Sequence, residues 1–333
     1  MFKNISIIGD GAMGTVLAIL LCEKKIPVRI WGYDREQLKQ IESSGENKKF
    51  LPGYKLPETL VFEPDDKRIM AGADLIVSAI PCQFMRQVWR RLKDYYSTEI
   101  PIVSVAKGIE NITLMRPDQI LTDVLSENVK CAVLSGPTIA DELARKLPAV
   151  ACAASNDDGL AREIQHTFNT SWLRVYTNRD IVGVELAGAM KNIIAIAAGI
   201  IDGIGAGDNA KAALLSRGLA EITRLGVKLG AKAETFAGVT GLGDLVTTCI
   251  SPKGRNRSFG ERIGRGQRVE EAKKASQSVI EGIATCESVV SLARQLGVEI
   301  PITQAIYEVL FEHKNVKAAI ADLMKRDLKA EYE

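Results

Sequence analysis

Short β-rich runs alternate with helical stretches along the first half of the chain, and this alternation limits the possible folds more than any other feature. Such a pattern is typical of a parallel sheet with crossover helices on its faces. The predicted strands are residues 5–9, 28–31, 59–62, 75–80, 102–106, 131–135, 150–154 and 173–176. The first half is therefore predicted to form a doubly wound α/β domain.

Helical periodicity dominates beyond roughly Asp180, and no convincing strand follows. The clearest helical segments are residues 210–229, 287–296, 302–311 and 316–326. Glycine-rich breaks at residues 202–207, 238–243 and 252–254 supply turns between helices. We therefore predict two domains, an α/β domain over residues 1–182 and an all-α domain over residues 183–333.

A glycine-rich turn follows the first predicted strand and opens a helix. Its sequence, Gly9-Asp10-Gly11-Ala12-Met13-Gly14, has the G-x-G-x-x-G spacing of a dinucleotide-binding loop. Glycines allow a tight turn and close approach of the backbone to a pyrophosphate, and the helix N-terminus offers unpaired N–H groups to it. This placement predicts that Gly9, Gly11, Ala12, Met13 and Gly14 bind NAD or NADP.

The choice between these two cofactors stays open in the sequence. Tyr33 and Asp34 follow the second predicted strand, and Asp34 has the spacing of the acid that contacts the ribose hydroxyls of NAD. Arg35 beside it has the chemistry to accept the 2′-phosphate of NADP. Asp34 is equally suited to cap the helix that follows.

Lys191 is the only charged residue in the apolar stretch over residues 186–201. A lysine there lowers its pKa, finds a partner or extends to solvent, and active sites use the first two outcomes. The only two histidines, His166 and His313, stand in polar contexts, so the usual proton-transfer residue has no obvious place. Lys191, followed by Asn192, is the candidate catalytic acid, and a lone helix charge that reaches the surface is the alternative.

Two further turns follow predicted strands at the sheet edge where ligands of such folds bind. Lys107 follows the fifth strand, and Ser135-Gly136-Pro137-Thr138 follows the sixth. The second turn is rich in N–H and hydroxyl donors. The alternatives are that Lys107 is a surface lysine and that Thr138 is only the N-cap of a helix over residues 139–145.

A polar cluster framed by glycines stands in the second half. Asp244 ends the run Gly241-Leu242-Gly243-Asp244, Thr247 and Thr248 follow it, and Arg255-Asn256-Arg257 comes next. Because a guanidinium grips phosphate in a bidentate manner, the cluster suits a ligand with a phosphate and a hydroxyl or carbonyl group. A solvated loop with a run of charges is the competing interpretation.

Composition narrows the classes of partner. Forty-three basic and forty-one acidic side chains leave a net charge of +2, which does not favour nucleic acid or an anionic membrane. Six cysteines are scattered singly without a C-x-x-C pair, so neither disulfides nor a metal site is expected. Residues 12–22 lack the features of a secretion signal, and the apolar run 186–201 is too short to span a bilayer. We expect a soluble, cytoplasmic protein.

Taken in order, these motifs resemble the bacterial-type NAD(P)-dependent glycerol-3-phosphate dehydrogenase family from end to end. The resemblance rests on residues 9–14, Ala106-Lys107-Gly108, Ser135-Gly136-Pro137-Thr138, Gly188-Ala189-Met190-Lys191-Asn192, Asp202-Gly203-Ile204-Gly205, Arg217-Gly218-Leu219-Ala220-Glu221, residues 241–244, Gly254-Arg255-Asn256-Arg257 and Val279-Ile280-Glu281-Gly282. It implies a Rossmann-type doubly wound α/β domain followed by an all-α domain of the 6-phosphogluconate dehydrogenase type. The implied reaction is reversible reduction of dihydroxyacetone phosphate to sn-glycerol 3-phosphate, which supplies the backbone for phospholipid synthesis.

The resemblance also implies a role for each matching residue. Lys191 matches the catalytic acid/base, and Asn192 would help to position the reacting oxygen. The matches to substrate and phosphate residues are Lys107, Gly136, Thr138, Asp244, Thr248, Gly254, Arg255 and Asn256. The matches to cofactor contacts outside the glycine-rich turn are Tyr33, Asp34, Lys107, Ala140, Arg255, Val279 and Glu281.

Three departures from the family pattern matter. The family often has serine and an aromatic residue where Ala12 and Met13 stand, a His-Arg or similar pair near Tyr33-Asp34, and serine where Gly254 stands. They leave the reaction intact and leave 2′-phosphate recognition and one phosphate hydrogen bond open. A related ketoacid reductase and a nicotinamide-binding redox sensor without turnover are the alternative functions. The apolar helices of the second domain suggest a homodimer.

Overall fold

Eight strands form a single sheet in the first half of the protein. The computed structural model describes residues 2–276, 279–328, 330 and 331. The strands are β1 (Ile5–Ile8), β2 (Val28–Trp31), β3 (Leu60–Phe62), β4 (Leu75–Ser78), β5 (Ile102–Ser104), β6 (Cys131–Ser135), β7 (Ala149–Ala154) and β8 (Leu173–Asn178). Each overlaps a predicted strand, so all eight predictions are confirmed.

The sheet is doubly wound, with the strand order β3-β2-β1-β4-β5-β6-β7-β8. Strands β1 to β6 are parallel, so their carboxyl ends share one edge. However, β7 runs antiparallel to β6, and β8 runs parallel to β7, so the prediction of a parallel sheet is wrong at the β6–β7 pair. Between β6 and β7 lies only the short helix α6 (Ala140–Ala144). The chain therefore does not return to the amino ends of the parallel strands before β7 begins, as a parallel connection would require.

Helices cover both faces of the sheet. The other helices of the first half are α1 (Ala12–Glu23), α2 (Arg35–Ser44), α3 (Asp66–Met70), α4 (Cys82–Leu92), α5 (Pro117–Val124) and α7 (Asp158–Phe168). Buried side chains of α1, α2 and α7 pack against one face. Those of α3, α4 and α5 pack against the other face, around Trp31 and Trp89. The sheet is therefore enclosed on both sides, and ligands reach it at the edge formed by the strand ends.

Helices are the only regular elements among the described residues of the second half, and no strand occurs there, as predicted. Its helices are α8 (Ile181–Ile204), α9 (Asp208–Lys228), α10 (Ala233–Ala237), α11 (Asp244–Ile250), α12 (Arg255–Gly264), α13 (Val269–Lys274), α14 (Glu281–Leu296), α15 (Pro301–Phe311) and α16 (Val316–Met324). A left-handed Gly205 ends α8, at the break predicted over residues 202–207.

Helix α8 is the core of this half. The helix is 24 residues long and extends beyond the apolar run 186–201 at both ends, so by length and composition it could cross a membrane, although the run alone could not. However, 94% of its apolar window is buried inside the protein. Apolar side chains from α9, α12, α14 and α15 surround it. Its hydrophobic length is therefore used for packing within the fold.

Helices α8 and α12 touch backbone to backbone. A Cβ on Gly199 of α8 would lie 1.9 Å from a carbonyl oxygen of α12, and one on Gly260 of α12 would lie 2.0 Å from a carbonyl oxygen of α8. Only glycine permits this approach. Because α8 carries Lys191 and α12 begins at Arg255, the contact fixes these two side chains relative to each other.

The glycine-rich break over residues 238–243 is not a loose turn. Val239–Gly243 forms a π-helical turn that runs directly into α11. A Cβ on Gly241 would lie 1.9 Å from the carbonyl oxygen of Phe236, so no other residue fits there. Such π turns often occur at functional sites. This one places Asp244 at the first position of α11.

Candidate active site

Two lysines share one carboxylate where the two halves meet. Lys191 Nζ donates to Asp244 Oδ1 at 2.7 Å and to Thr248 Oγ1 at 2.5 Å. Lys107 Nζ donates to Asp244 Oδ2 at 2.8 Å and to the carbonyl oxygen of Gly136 at 2.9 Å. Lys191 comes from α8, Asp244 and Thr248 come from α11, Lys107 follows β5, and Gly136 follows β6. The structure therefore brings together five of the residues singled out by the sequence.

The central ion pair is almost completely removed from water. Lys191 is 6% exposed and Asp244 is 2% exposed, so the alternative that Lys191 reaches the surface is wrong. Burial lowers the pKa of Lys191 to about 8; the nearby charge of Lys107 adds to this shift, and Asp244 opposes it. A group with such a pKa exchanges protons near neutral pH.

Each ammonium keeps one N–H for a ligand. A lysine ammonium has three donors. Asp244 and Thr248 accept two hydrogen bonds from Lys191. Asp244 and Gly136 accept two from Lys107. Within the described part of the chain, no acceptor takes the third donor of either lysine. The pair can therefore offer two hydrogen bonds to an oxygen of a bound molecule.

A chain of hydrogen bonds fixes the amide of Asn192 next to Lys191. The backbone N–H of Gly282 donates to Asn256 Oδ1 at 3.0 Å, and Asn256 Nδ2 donates to Asn192 Oδ1 at 2.9 Å. Because a backbone N–H can only donate, Gly282 sets the orientation of both amides. Asn192 Nδ2 makes one long bond, of 3.5 Å, to the carbonyl oxygen of Gly188. Asn192 therefore remains a donor toward ligands.

The N-terminus of α12 has the features of a phosphate subsite. Gly254 is its N-cap and provides no side-chain cap, so the first N–H groups of the helix lack that partner. Arg255 is exposed and donates from Nη1 to the carbonyl oxygen of Val279 at 3.2 Å. A Cβ at Gly254 would lie 3.1 Å from the carbonyl oxygen of Thr248, which is tight. A helix N-terminus beside a guanidinium attracts anions.

Glu281 begins α14 within electrostatic range of these cations. Burial raises the pKa of its carboxyl, and Arg255, Lys107 and Lys191 oppose that rise. No hydrogen bond to the carboxylate occurs among the described residues. Glu281 can therefore accept hydrogen bonds from a bound hydroxyl group.

The glycine-rich loop after β1 has the shape of a pyrophosphate cradle. Gly9 has a φ of +120°, and a Cβ there would lie 2.6 Å from the carbonyl oxygen of Ala79. A Cβ on Gly14 would lie 2.0 Å from the carbonyl oxygen of Gly9. Gly11, the N-cap of α1, faces open space and provides no side-chain cap. The loop and helix N-terminus therefore fit a dinucleotide, with Ala12 and Met13 in the first turn of α1.

The turn after β6 contributes to the same cleft. Gly136 has a φ of +142°, and its carbonyl oxygen accepts from Lys107 and, at 3.1 Å, from Thr138 Oγ1. Helix α6 begins at Ala140, and its N-cap is Ile139. The alternative that Thr138 caps this helix is therefore wrong. Its hydroxyl instead braces the turn that holds Lys107.

The residues after β2 lie at the rim of the sheet. Asp34 caps α2, because its side chain accepts from the backbone N–H groups of Glu36 and Gln37. The capping alternative for Asp34 is thus confirmed. Tyr33 is 54% exposed and Arg35 is also exposed. None of these positions alone decides between NAD and NADP.

Sequence reasoning missed Asn47, and it placed Ser135 in a donor-rich turn without assigning it a role of its own. Asn47 is fully buried and donates from Nδ2 to the carbonyl oxygen of Asp10 and to Thr15 Oγ1, both at 2.8 Å, which anchors the glycine-rich loop. Ser135 Oγ is buried without a hydrogen-bond partner among the described atoms, and a Cβ on Gly188 would lie 3.0 Å from it. An asparagine in a polar loop carries no signal for the first role. The unpaired hydroxyl depends on tertiary packing.

The described cysteines do not add chemistry to the cleft. Cys249 is fully buried on α11, and burial raises its pKa to about 12, so it is a packed thiol without thiolate reactivity. Among the described residues, no group of three histidine, cysteine or acidic side chains could hold a metal ion. The chemistry of the site therefore rests on its lysines, carboxylates and amides.

Both halves of the chain match models of one enzyme family. The model for the NAD-dependent glycerol-3-phosphate dehydrogenase N-terminus matches residues 4–161, and that for the C-terminus matches residues 180–321. The NAD(P)+ glycerol-3-phosphate dehydrogenase of Chlorobium phaeobacteroides (strain BS1) is 46% identical over 330 residues, which cover 98% of this chain and 99% of the relative. That of Geobacter sulfurreducens is 45% identical and covers 99% of both chains.

Solved structures agree with the sequence relatives. The crystal structure of glycerol-3-phosphate dehydrogenase from Coxiella burnetii has a TM-score of 0.94 at 36% identity, covering 97% of this chain and 99% of that one. A ketopantoate reductase from Ralstonia eutropha JMP134 has a TM-score of 0.60 at 15% identity, covering 96% and 99%, which shows the fold alone. The chain therefore belongs to the NAD(P)-dependent glycerol-3-phosphate dehydrogenase family.

Proposed function

We propose that this protein reduces dihydroxyacetone phosphate to sn-glycerol 3-phosphate, reversibly, with NADH or NADPH. The observation that carries the proposal is the cluster of Lys191, Asp244 and Lys107 beside the N-terminus of α12 and Arg255. It combines a lysine whose pKa is about 8 with a cationic subsite for an anion. A phosphorylated ketone needs both, a proton donor at its carbonyl oxygen and a grip on its phosphate.

Lys191 is the proposed acid and base. When bound, the nicotinamide supplies the hydride to the carbonyl carbon or accepts it in the reverse direction. Negative charge then builds on the C2 oxygen, and Lys191 donates a proton to it through the N–H that Asp244 and Thr248 leave free. In the reverse direction the neutral amine takes the proton from the secondary alcohol.

Asp244, Lys107 and Asn192 position the reacting groups. Asp244 holds both ammonium groups by one carboxylate and so keeps them at a fixed spacing. The free N–H of Lys107 and Nδ2 of Asn192 donate to substrate oxygens near C2. Preorganised donors in a cleft without water stabilise the developing charge more than solvent does.

The phosphate group is the proposed ligand of the α12 N-terminus. Arg255 binds it with its guanidinium, and the backbone N–H groups after Gly254 donate to its oxygens. Asn256 orients the α12 N-terminus by its bonds to Asn192 and Gly282. Thr248, Gly136 and Thr138 complete the substrate pocket. Binding energy from the phosphate holds the carbonyl near the nicotinamide.

In this proposal, residues at the carboxyl edge of the sheet would hold the cofactor. Its pyrophosphate binds at Gly9, Gly11 and Gly14 and the N-terminus of α1. The other proposed cofactor contacts are Ala12, Met13, Tyr33, Lys107, Ala140, Arg255, Val279 and Glu281. Glu281 would accept from a hydroxyl group of the cofactor, because no described residue donates a hydrogen bond to its carboxylate and Arg255, Lys107 and Lys191 act on its charge.

The proposed setting of the enzyme follows from the reaction. Its product supplies the glycerol phosphate backbone of phospholipids, and the protein acts in the cytoplasm. We also propose a homodimer, and a division of the chain into a cofactor domain over residues 1–182 and a substrate domain over residues 183–333.

A comparison of substrates tests the proposed reaction. The purified protein is mixed with NADH or NADPH and with dihydroxyacetone phosphate, unphosphorylated dihydroxyacetone or ketopantoate, and cofactor oxidation is followed. Rapid oxidation with dihydroxyacetone phosphate and at least about a hundredfold lower kcat/KM with the other two is expected, because only the first fills the phosphate subsite. Preference for ketopantoate would favour the ketoacid reductase alternative, and no oxidation with any substrate would favour the redox sensor.

A further inference from the structure

Asp10 brings a carboxylate to an unusual place in the glycine-rich loop. If Gly32 at the end of β2 carried a Cβ, that atom would lie 2.8 Å from Asp10 Cγ and 2.8 Å from Asp10 Oδ2. The carboxylate of Asp10 therefore occupies the position where a side chain at the end of β2 would begin. In dinucleotide-binding folds, an acid from the end of this strand binds the ribose hydroxyls.

Asp34 is already engaged by its own helix. Its Oδ1 accepts from the backbone N–H of Glu36 at 3.0 Å and from that of Gln37 at 3.2 Å. These are the N–H groups at the start of α2 that a 2′-phosphate would use. The cap therefore engages one oxygen of Asp34 and the nearest backbone donors, and it holds this carboxylate at the start of α2.

Gln37 holds Asp10 in place from the same helix. Its Nε2 donates to Asp10 Oδ2 at 2.9 Å, while its Oε1 accepts from Lys49 at 2.8 Å. The amide of Gln37 is therefore oriented with its donor toward Asp10. A carboxylate has about four lone-pair sites, so Asp10 can still accept from both hydroxyls of a ribose.

We propose that Asp10, rather than Asp34, is the acid that binds the adenosine ribose of the cofactor, and that it gives this protein a preference for NAD(H) over NADP(H). The proposal rests on dinucleotide binding at the glycine-rich loop. The carboxylates of Asp10 and Asp34 would both repel a 2′-phosphate bound there. The ribose of NAD carries no charge at this position, so it would not be repelled.

The cations near this rim do not offset that repulsion. Lys49 and Arg35 are both exposed, so water screens their charges. Asp10 is half-buried, so its interactions are screened less. Arg91 lies over the rings of Trp31 and Tyr33, but Asp66 pairs with it, so it also leaves the charge of Asp10 uncompensated.

Binding measurements test the proposal without turnover. Dissociation constants for NADH and NADPH are measured by calorimetry for the wild-type protein and for Asp10→Asn, Asp34→Asn and Asp65→Asn. Asparagine at position 10 keeps an oxygen acceptor for Gln37, and at positions 34 and 65 it remains a good helix cap. Asp65 caps α3 as Asp34 caps α2, so Asp65→Asn is the matched control.

The wild-type protein should bind NADH at least about tenfold more tightly than NADPH. Asp10→Asn should weaken NADH binding about tenfold and bring the two constants close together, because it removes the charge that accepts from the ribose and repels the phosphate. Asp34→Asn should change this ratio less than Asp10→Asn does, and Asp65→Asn should keep the wild-type ratio.

Two results would overturn the proposal. One is equal binding of NADH and NADPH by the wild-type protein, which does not depend on any variant folding. The other is a ratio that changes with Asp34→Asn as much as with Asp10→Asn. If both cofactors bind as expected but dihydroxyacetone phosphate is not reduced, the proposed reaction fails while this assignment stands.

Discussion

Lys191 shows how a single buried charge acquires a role from its surroundings. Burial is the largest cause that lowers its pKa, the ammonium of Lys107 adds to this, and Asp244 is the main group that stabilises the charged form. As a result, Lys191 can lose and regain a proton near neutral pH. The same lysine on an exposed helix would stay charged up to its ordinary pKa, near 10.4.

The pH dependence of the reaction follows from that balance. Reduction needs protonated Lys191, so its kcat/KM should be high below a pH of about 8 and fall above it. Oxidation of glycerol 3-phosphate needs the neutral amine, so its kcat/KM should rise as the pH increases toward and past about 8. Initial rates in both directions over a pH series check this. Parallel profiles in the two directions would contradict the role.

Arg255 should act on the phosphate of the substrate. Arg255→Ala should raise KM for dihydroxyacetone phosphate about tenfold to a hundredfold, because it removes charge-assisted hydrogen bonds to the phosphate. The already weak reaction with dihydroxyacetone should change little. Arg262→Ala, which removes an exposed arginine from the same helix, is the control. An unchanged KM in Arg255→Ala would refute the phosphate role.

Individual residues differ in how far the sequence reveals them. Lys191 stands out as a lone charge in an apolar run, and the family resemblance groups it with Lys107 and Asp244. The approach of Asp10 to Gly32 could not be predicted, because it depends on the register between β1 and β2, where Ile8 pairs with Trp31. The same holds for Asn47, whose contact with the loop spans a long stretch of chain.

Among the helices, α8 and α12 connect the two parts of the reaction. Their glycine contact holds the proton donor on α8 and the phosphate subsite at the start of α12 as one rigid unit. Any side chain at the contact would push the helices apart. The distance between the proposed proton donor and the proposed phosphate subsite therefore depends on glycine at positions far from both.

Gly260→Ala tests this contact. Its Cβ would lie 2.0 Å from the carbonyl oxygen of Ile196, so we expect destabilisation of about 1–3 kcal/mol and an increase in KM for dihydroxyacetone phosphate. NADH binding should change less, since the glycine-rich loop lies on the sheet. Thermal unfolding, KM and calorimetry measure the three effects, with Arg262→Ala as control. A variant with wild-type stability and KM would contradict a fixed crossing.

The positions of the helices and strands were predicted better than the direction of the strands and the conformation of the turns. Strand positions follow from short β-rich runs, and all eight exist in the structure. The reversal at β7 depends on where the chain travels after β6, which periodicity does not encode. The π-helical turn before Asp244 depends on contact between Gly241 and the backbone of Phe236. From the sequence, the glycines predict only a break between helices.

At the scale of the whole molecule, the candidate active site lies where the two halves meet. Lys107 comes from the edge of the sheet, and Asp244 and Lys191 come from the helical half. The pKa of the proposed acid therefore depends on contact between the halves. The sequence predicts both halves, but it contains no direct sign of this shared carboxylate.

Lys107→Met tests that dependence. Removing this ammonium removes a charge that lowers the pKa of Lys191 and leaves Asp244 to Lys191 alone. The fall in kcat/KM for reduction should therefore move to higher pH, together with a lower maximal rate. A matched pH series of the wild-type and variant proteins measures the shift. A profile that keeps its position, or moves to lower pH, would contradict electrostatic contact between the two lysines.

The rate of NADH oxidation with dihydroxyacetone phosphate, compared between the wild-type protein and Lys191→Met, decides whether this cluster performs the proposed reaction. NADH affinity, measured in parallel, should be nearly equal in the two proteins. The wild-type protein should turn over, and the variant should lose at least about a thousandfold in kcat, because its side chain cannot donate the proton. Near-normal turnover by Lys191→Met would contradict the account.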